Sequence, residues 1–255
     1  MSINNNLLKN YGGVKIKLKR KFSLLLVALM VLSLFPAHIF AITNNNETTI
    51  LNNVVVYANF RGDTALTIQG DEYNHVIDTY NANDQTSLSG YMKTISYGQM
   101  EVRNIFPQSD GEKIVPIQLS MSLEDTRGEY FDNQIVSEII DALEKSPTPS
   151  GLDSIHNLTV ILQGGEGLDF GVYPTIWPHQ YFYNGGKSLY GHNIRAINML
   201  NTDVIFDILS GVGVVAHEFL HTLNYADLYT GSSNTSFVDR WDIMSVPDIY
   251  MFNTR

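Results

Sequence analysis

The chain has 255 residues, is 44% apolar and 16% charged, and carries a net charge of −10. That balance suits a globular domain and excludes a disordered one. Its acidic surface repels nucleic acid and anionic lipid and excludes both as partners, and the absence of cysteine excludes disulfides and thiolate metal sites.

In chain order, the first 41 residues stand apart. Lys15, Lys17, Lys19, Arg20 and Lys21 form a basic cluster, "FSLLLVALMVLSLF" follows without a charge, and "PAHIFA" closes on Ala41. This is the order of a secretory signal peptide, which makes the mature protein extracellular. A membrane anchor is the competing reading, but Pro36 and His38 cut the apolar run short of a full span. Residues 1–41 hold six of the 16 Lys and Arg and none of the 26 Asp and Glu, so the remainder is more acidic, at −16. Residues 42–53 are polar and turn-rich and read as a linker or the remnant of a propeptide. Residues 54–255 read as one domain.

"VVVYANF" (54–60) is β-branched and aromatic, as a buried strand requires. Short helices are expected over 71–80 and 86–95, and strands over 100–106 and 116–121. Over 131–145, Ile135, Ile139, Ile140 and Leu143 share one helical face, and "SPTPSG" then stops the helix. "NLTVILQ" (157–163) is a second strong strand. Residues 170–192 read as loop, crowded with Phe170, Tyr173, Trp177, Tyr181, Phe182, Tyr183 and Tyr190; the main use of the tyrosines is packing, and lining a cleft is the alternative. His179 and His192 lie there and read first as ordinary loop residues, with contact to a metal ligand or to substrate as the alternative. "GGEG" with Asp169 offers oxygens to Ca2+, but the spacing matches no calcium-binding loop. Strands interleaved with helices predict an α/β (α+β) domain, a small sheet backed by two long helices.

"GVGVVAHEFLHTLNYADLY" (211–229) carries the chemistry. From Ser210, a plausible N-cap, to Leu223 the pattern is helical and apolar nearly all round, as in a buried helix. His217 and His221 are four residues apart and share a face, so their imidazoles can converge on one ion. Glu218 sits one step round, able to reach a water on that ion but not aimed to ligate it. An open catalytic zinc site needs a third ligand. Asp227 supplies it if the chain reverses at Asn224, a residue that tolerates the left-handed conformation that ends helices. Two core histidines and a glutamate would also fit the helix. Buried together they are costly, because an unpartnered buried carboxylate loses several kcal/mol.

"HEFLHTLNYADLY" followed by "WDIMS" resembles the immune inhibitor A family of secreted bacterial zinc metallopeptidases, which are metzincin-like. "NVVVYANFRGD", "SLSGYMKTISYGQMEV", "IHNLTVILQGGEG" and "IWPHQ" extend the resemblance over about residues 54 to 248. It implies a metallopeptidase domain with a small mixed sheet backed by helices, among them the HExxH helix. It implies one Zn2+ held by His217, His221 and Asp227, with Glu218 as catalytic acid/base and proteins or peptides as substrates. Met244 matches the methionine of the turn beneath the metal, and the strand around 158–163 is expected to offer its edge to an extended peptide. Family members have Gly at the position of Asn224 and Pro at that of Ala226, and they continue well beyond the residue matching Met244. This chain is therefore expected to be short of part of the domain. A zinc-containing, peptide-binding homologue without activity is the alternative; an intact Glu218 weighs against it, because a structural zinc site has no use for that carboxylate.

Overall fold

A computed structural model describes residues 48–127, 131–163, 176–207, 211–230, 235–236, 238 and 242–245. The expected signal peptide, the expected Ser210 cap, the "GGEG"–Asp169 group and the C-terminal residues after 245 lie outside them.

The elements run as follows: β1 (Thr49–Asn59), β2 (Ile68–Gln69), α1 (Asp71–Asn81), α2 (Leu88–Ile95), β3 (Met100–Ile105), β4 (Lys113–Ile114), β5 (Ile117–Gln118), a 3-10 turn (Leu123–Arg127), α3 (Phe131–Leu143), β6 (Ile155–Gln163), β7 (His179–Phe182), β8 (Ser188–Leu189), β9 (His192–Asn201), α4 (Thr202–Phe206), α5 (Gly211–Thr222), β10 (Tyr229–Thr230) and β11 (Thr235–Ser236). The main sheet has the order β3-β1-β6-β9-β7. The first four strands are mutually parallel, and β7 runs antiparallel to β9 at the edge. This is a mixed α/β fold whose mostly parallel sheet is backed by helices.

Both faces of the sheet are covered, which is why its central strands read as unbroken apolar runs. Successive residues of a strand point to opposite faces. Val54, Val56 and Ala58 of β1 join Leu158, Val160 and Leu162 of β6 and the Ile135–Ile139–Ile140 face of α3 in one core. Val55, Tyr57 and Ile161 turn the other way, into a core with Val76 and Tyr80 of α1, Leu88 and Met92 of α2, and Val215, Ala216 and Phe219 of α5. Burying each large aliphatic side chain contributes roughly 1.5–3 kcal/mol. Local signals agree at several helix ends. The Ser87 hydroxyl accepts the Gly90 N–H at 3.0 Å to start α2, and Asn201 Oδ1 accepts the Val204 N–H at 2.9 Å to start α4.

Three expectations are corrected. The stretch 42–53 is not all linker, because β1 begins at Thr49, five residues before the expected start. The polar Asn52 and Asn53 enter the strand because neighbouring side chains accept from their amides: Asn52 Nδ2 donates to Asp153 Oδ1 (2.7 Å) and Asn53 Nδ2 to Asn104 Oδ1 (2.8 Å). Strand β6 offers no edge to a peptide, because β1 and β9 flank it on both sides. The stretch 170–192 is not all loop, because β7 and β8 lie in it, and the long strand β9 that follows was not read from the sequence at all. Its Asn198 and Arg195 break the apolar pattern, and the strand is fixed only by pairing with β6 and β7.

Candidate metal centre

Helix α5 is seated from both ends. At Gly211 an added Cβ would lie 2.9 Å from the Val204 carbonyl oxygen, so the close packing of its first turn on α4 requires glycine. Near its other end, a ladder of buried amides crosses the sheet. Asn104, Asn53 and Asn157 lie directly opposite one another on β3, β1 and β6. Asn53 Nδ2 donates to Asn104 Oδ1 (2.8 Å), Asn157 Nδ2 to Asn53 Oδ1 (2.9 Å), and the Thr222 hydroxyl of α5 to Asn157 Oδ1 (3.1 Å). Asn53, Asn157 and Thr222 are buried, where an unpaired amide would cost about 1–3 kcal/mol; Asn104, at the outer end, is half-buried. The ladder therefore fixes the helix against rotation as well as depth.

On that helix, His217 and His221 bring their Nε2 atoms to 3.2 Å of each other, with the rings edge to face. Asp227 Oδ1 lies 3.2 Å from His217 Nε2 and 3.3 Å from His221 Nε2. Each ring spends its other nitrogen on a carbonyl: His217 Nδ1 on Ile243 O at 2.8 Å, His221 Nδ1 on Tyr225 O at 2.7 Å. A carbonyl only accepts, so each Nδ1 carries the proton and each Nε2 of a neutral ring presents a bare lone pair. Three acceptors then face one another in a triangle with no proton between them. That repels on its own and becomes favourable around a cation. The size fits as well: tetrahedral ligands about 2.0 Å from an ion stand about 3.3 Å apart. The group of His217, His221 and Asp227 can hold a metal ion. Burial, with the neighbouring His221, holds His217 below the ordinary imidazole range and favours the neutral, ligating ring.

The return of Asp227 follows from how the helix ends. Asn224 has φ 67°, in the left-handed region. Its N–H bonds His221 O (2.9 Å) and the Tyr225 N–H bonds Leu220 O (3.3 Å), the paired reverse bonds of a Schellman cap. The same turn places the Tyr225 carbonyl on His221. A second tie comes from the Met244 turn: Ile243 O holds His217, and Met244 O accepts the Leu228 N–H at 2.9 Å. The Met244 side chain is buried in the cluster that contains Ala216 and Phe219. The methionine turn thus grips the histidine helix and the aspartate segment at once.

Glu218 stands outside the triangle and is only 5% exposed. Burial pushes its carboxyl up to about 7; His179 opposes the shift and Asp227 adds to it. A carboxylate poised there can take and return a proton near neutral pH.

Of the other candidates, His179 is brought near and His192 is not. His179 opens β7 opposite Met199, whereas His192 starts β9 seven residues earlier, about 23 Å away along the strand. Tyr181, Tyr183 and Tyr190 pack against the α3-side core, as expected of them. Sequence reasoning missed the Ile243 and Tyr225 carbonyls, which no side-chain pattern announces. It also missed Tyr229, whose ring stacks on His217 with centroids 6.4 Å apart, and the pairing of His179 with Asp132.

No protein-family model matches this chain, and comparison with curated proteins found no match.

Proposed function

We propose that the chain is a secreted zinc-dependent endopeptidase in which His217, His221 and Asp227 hold the ion and Glu218 carries the proton. The observation that carries this reading is the triangle of three bare acceptor atoms 3.2–3.3 Å apart, beside a buried carboxylate that is not part of it. Bound there, zinc supplies a Lewis acid that polarises a peptide carbonyl and lowers the pKa of a water toward ~7.

The rest is the work of the chain itself. Glu218 accepts the proton as water attacks the carbonyl carbon and passes it to the leaving nitrogen, so the carboxylate ends the cycle as it began. The Ile243 and Tyr225 carbonyls keep both imidazoles in the ligating tautomer throughout. Strand β7 has β9 on one side, and among the described residues no strand pairs with its other side. It packs against α5. An extended peptide adding to that free edge by backbone hydrogen bonds would run past Glu218. Export rests on the sequence of residues 1–41.

The test compares the parent protein with Glu218→Gln, both matched for zinc content, on casein. The carboxamide cannot accept the proton, so cleavage should fall by at least the ~100-fold of a lost general base while zinc and fold are kept. Equal cleavage by both proteins would overturn the assignment of Glu218. No cleavage by a zinc-loaded parent would favour the peptide-binding alternative.

A further inference from the structure

At the start of β7, whose outer side pairs with no strand among the described residues, one side chain joins three parts of the molecule. His179, the first residue of β7, directs Nε2 to Asp132 Oδ2 at 3.1 Å and Nδ1 to the Trp177 carbonyl at 2.8 Å. Asp132 lies in the first turn of α3, 47 residues away in sequence. The imidazole therefore fastens the segment leading into the edge strand to the helix behind the sheet, and it stacks on Tyr181 two residues along.

Both of its partners are pure acceptors, and this decides its charge. A neutral imidazole carries one N–H. With the proton on Nδ1, the Nε2 lone pair faces a carboxylate; with it on Nε2, the Nδ1 lone pair faces a carbonyl. Only the imidazolium satisfies both contacts. The charged groups that bear on the ring agree. Asp132 faces it from α3 and Glu218 from α5, while Tyr181 contributes only its ring face from β7 itself. Burial disfavours the cation, but the hydrogen bonds to Asp132 and Trp177 and the charges of Asp132 and Glu218 outweigh it, and His179 titrates above the ordinary imidazole range.

We propose that His179, held as an imidazolium between Asp132 and the Trp177 carbonyl, is a positioning residue that sets the edge strand for an extended peptide and releases it when the ring loses its proton. The inference rests on the peptidase reading only in taking the free edge of β7 as the place where the peptide lies. The sign follows from the raised pKa. The latch is complete at pH values below the ordinary imidazole pKa and is lost as pH rises through the higher pKa of the folded state. Peptide affinity should therefore weaken on the alkaline side without loss of fold.

The experiment uses full-length, zinc-loaded protein in the Glu218→Gln background, so that peptide binds without being cut. Fluorescein-labelled casein is the probe, and affinity is measured by anisotropy from pH 6 to pH 9. The expected result is affinity that falls about tenfold across one alkaline transition. Asp132→Asn should move that transition to lower pH, and His179→Ala should abolish it and bind weakly throughout. Each variant is checked for zinc content and thermal unfolding; if His179→Ala fails to fold, Asp132→Asn still decides, because a merely structural contact would not move the midpoint. Affinity independent of pH, or a midpoint unchanged by Asp132→Asn, would overturn the latch alone. Absence of casein binding at every pH, together with absence of cleavage by the parent, would overturn the peptidase reading and the latch with it.

Discussion

Asn224 is the point where one backbone conformation supports the whole metal group, and changing it tests the site without touching a ligand. Its φ of 67° places it where a side chain bearing Cβ is penalised by about 1–2 kcal/mol, a penalty that asparagine partly escapes by local hydrogen bonding and glycine escapes entirely. Valine escapes none of it, because its branched Cβ cannot bond locally and crowds the following carbonyl. Asn224→Val should therefore destabilise the protein by about 1–2 kcal/mol, which for a chain of this size lowers the melting temperature by about 5 °C. The larger effect should be on metal. Relaxing φ breaks the Tyr225 N–H to Leu220 O bond, moves the Tyr225 carbonyl off His221 Nδ1, and shifts Asp227 three residues on. Losing such an outer partner weakens metal binding by about 10- to 100-fold. Asn224→Gly should keep both stability and affinity. Zinc affinity measured by competition with a chromophoric chelator, alongside a thermal scan, decides the matter. If the valine and glycine variants match each other in both, the left-handed turn does not organise the site.

Three further outcomes are expected. His221→Ala leaves two ligands, so elemental analysis should find it nearly free of zinc where the parent holds about one ion per chain; equal content would refute the ligand assignment. Thr222→Val removes one of the donors to Asn157 Oδ1, the Asn198 amide being the other, and should cost about 0.5–1.5 kcal/mol in chemical denaturation; a neutral result would show that this hydrogen bond does not seat the helix. Material recovered from the culture medium should begin near Ile42 on N-terminal sequencing, because the basic and apolar regions end at Ala41; protein found only in membranes with residues 1–41 attached would rule out a cleaved signal.

The sequence by itself determined what is local. The spacing of His217 and His221, the step to Glu218 and the tolerance of Asn224 for a left-handed turn are properties of a few consecutive residues, and they sufficed to name the metal group. Apolar periodicity likewise located α3 and α5, because a helix that buries one face or all faces must write that into its period. Tertiary structure alone decided the rest. Which strand stands at the edge depends on neighbours that β6 and β7 acquire only in the folded sheet, so the apolar character of β6 showed that it is buried but not that it is central. The amide ladder, the pair of His179 and Asp132, and the carbonyls of Ile243 and Tyr225 join residues far apart in sequence or use backbone atoms common to every residue. Such contacts leave no pattern along the chain. They exist because folding places each polar group where another must satisfy it once water is excluded.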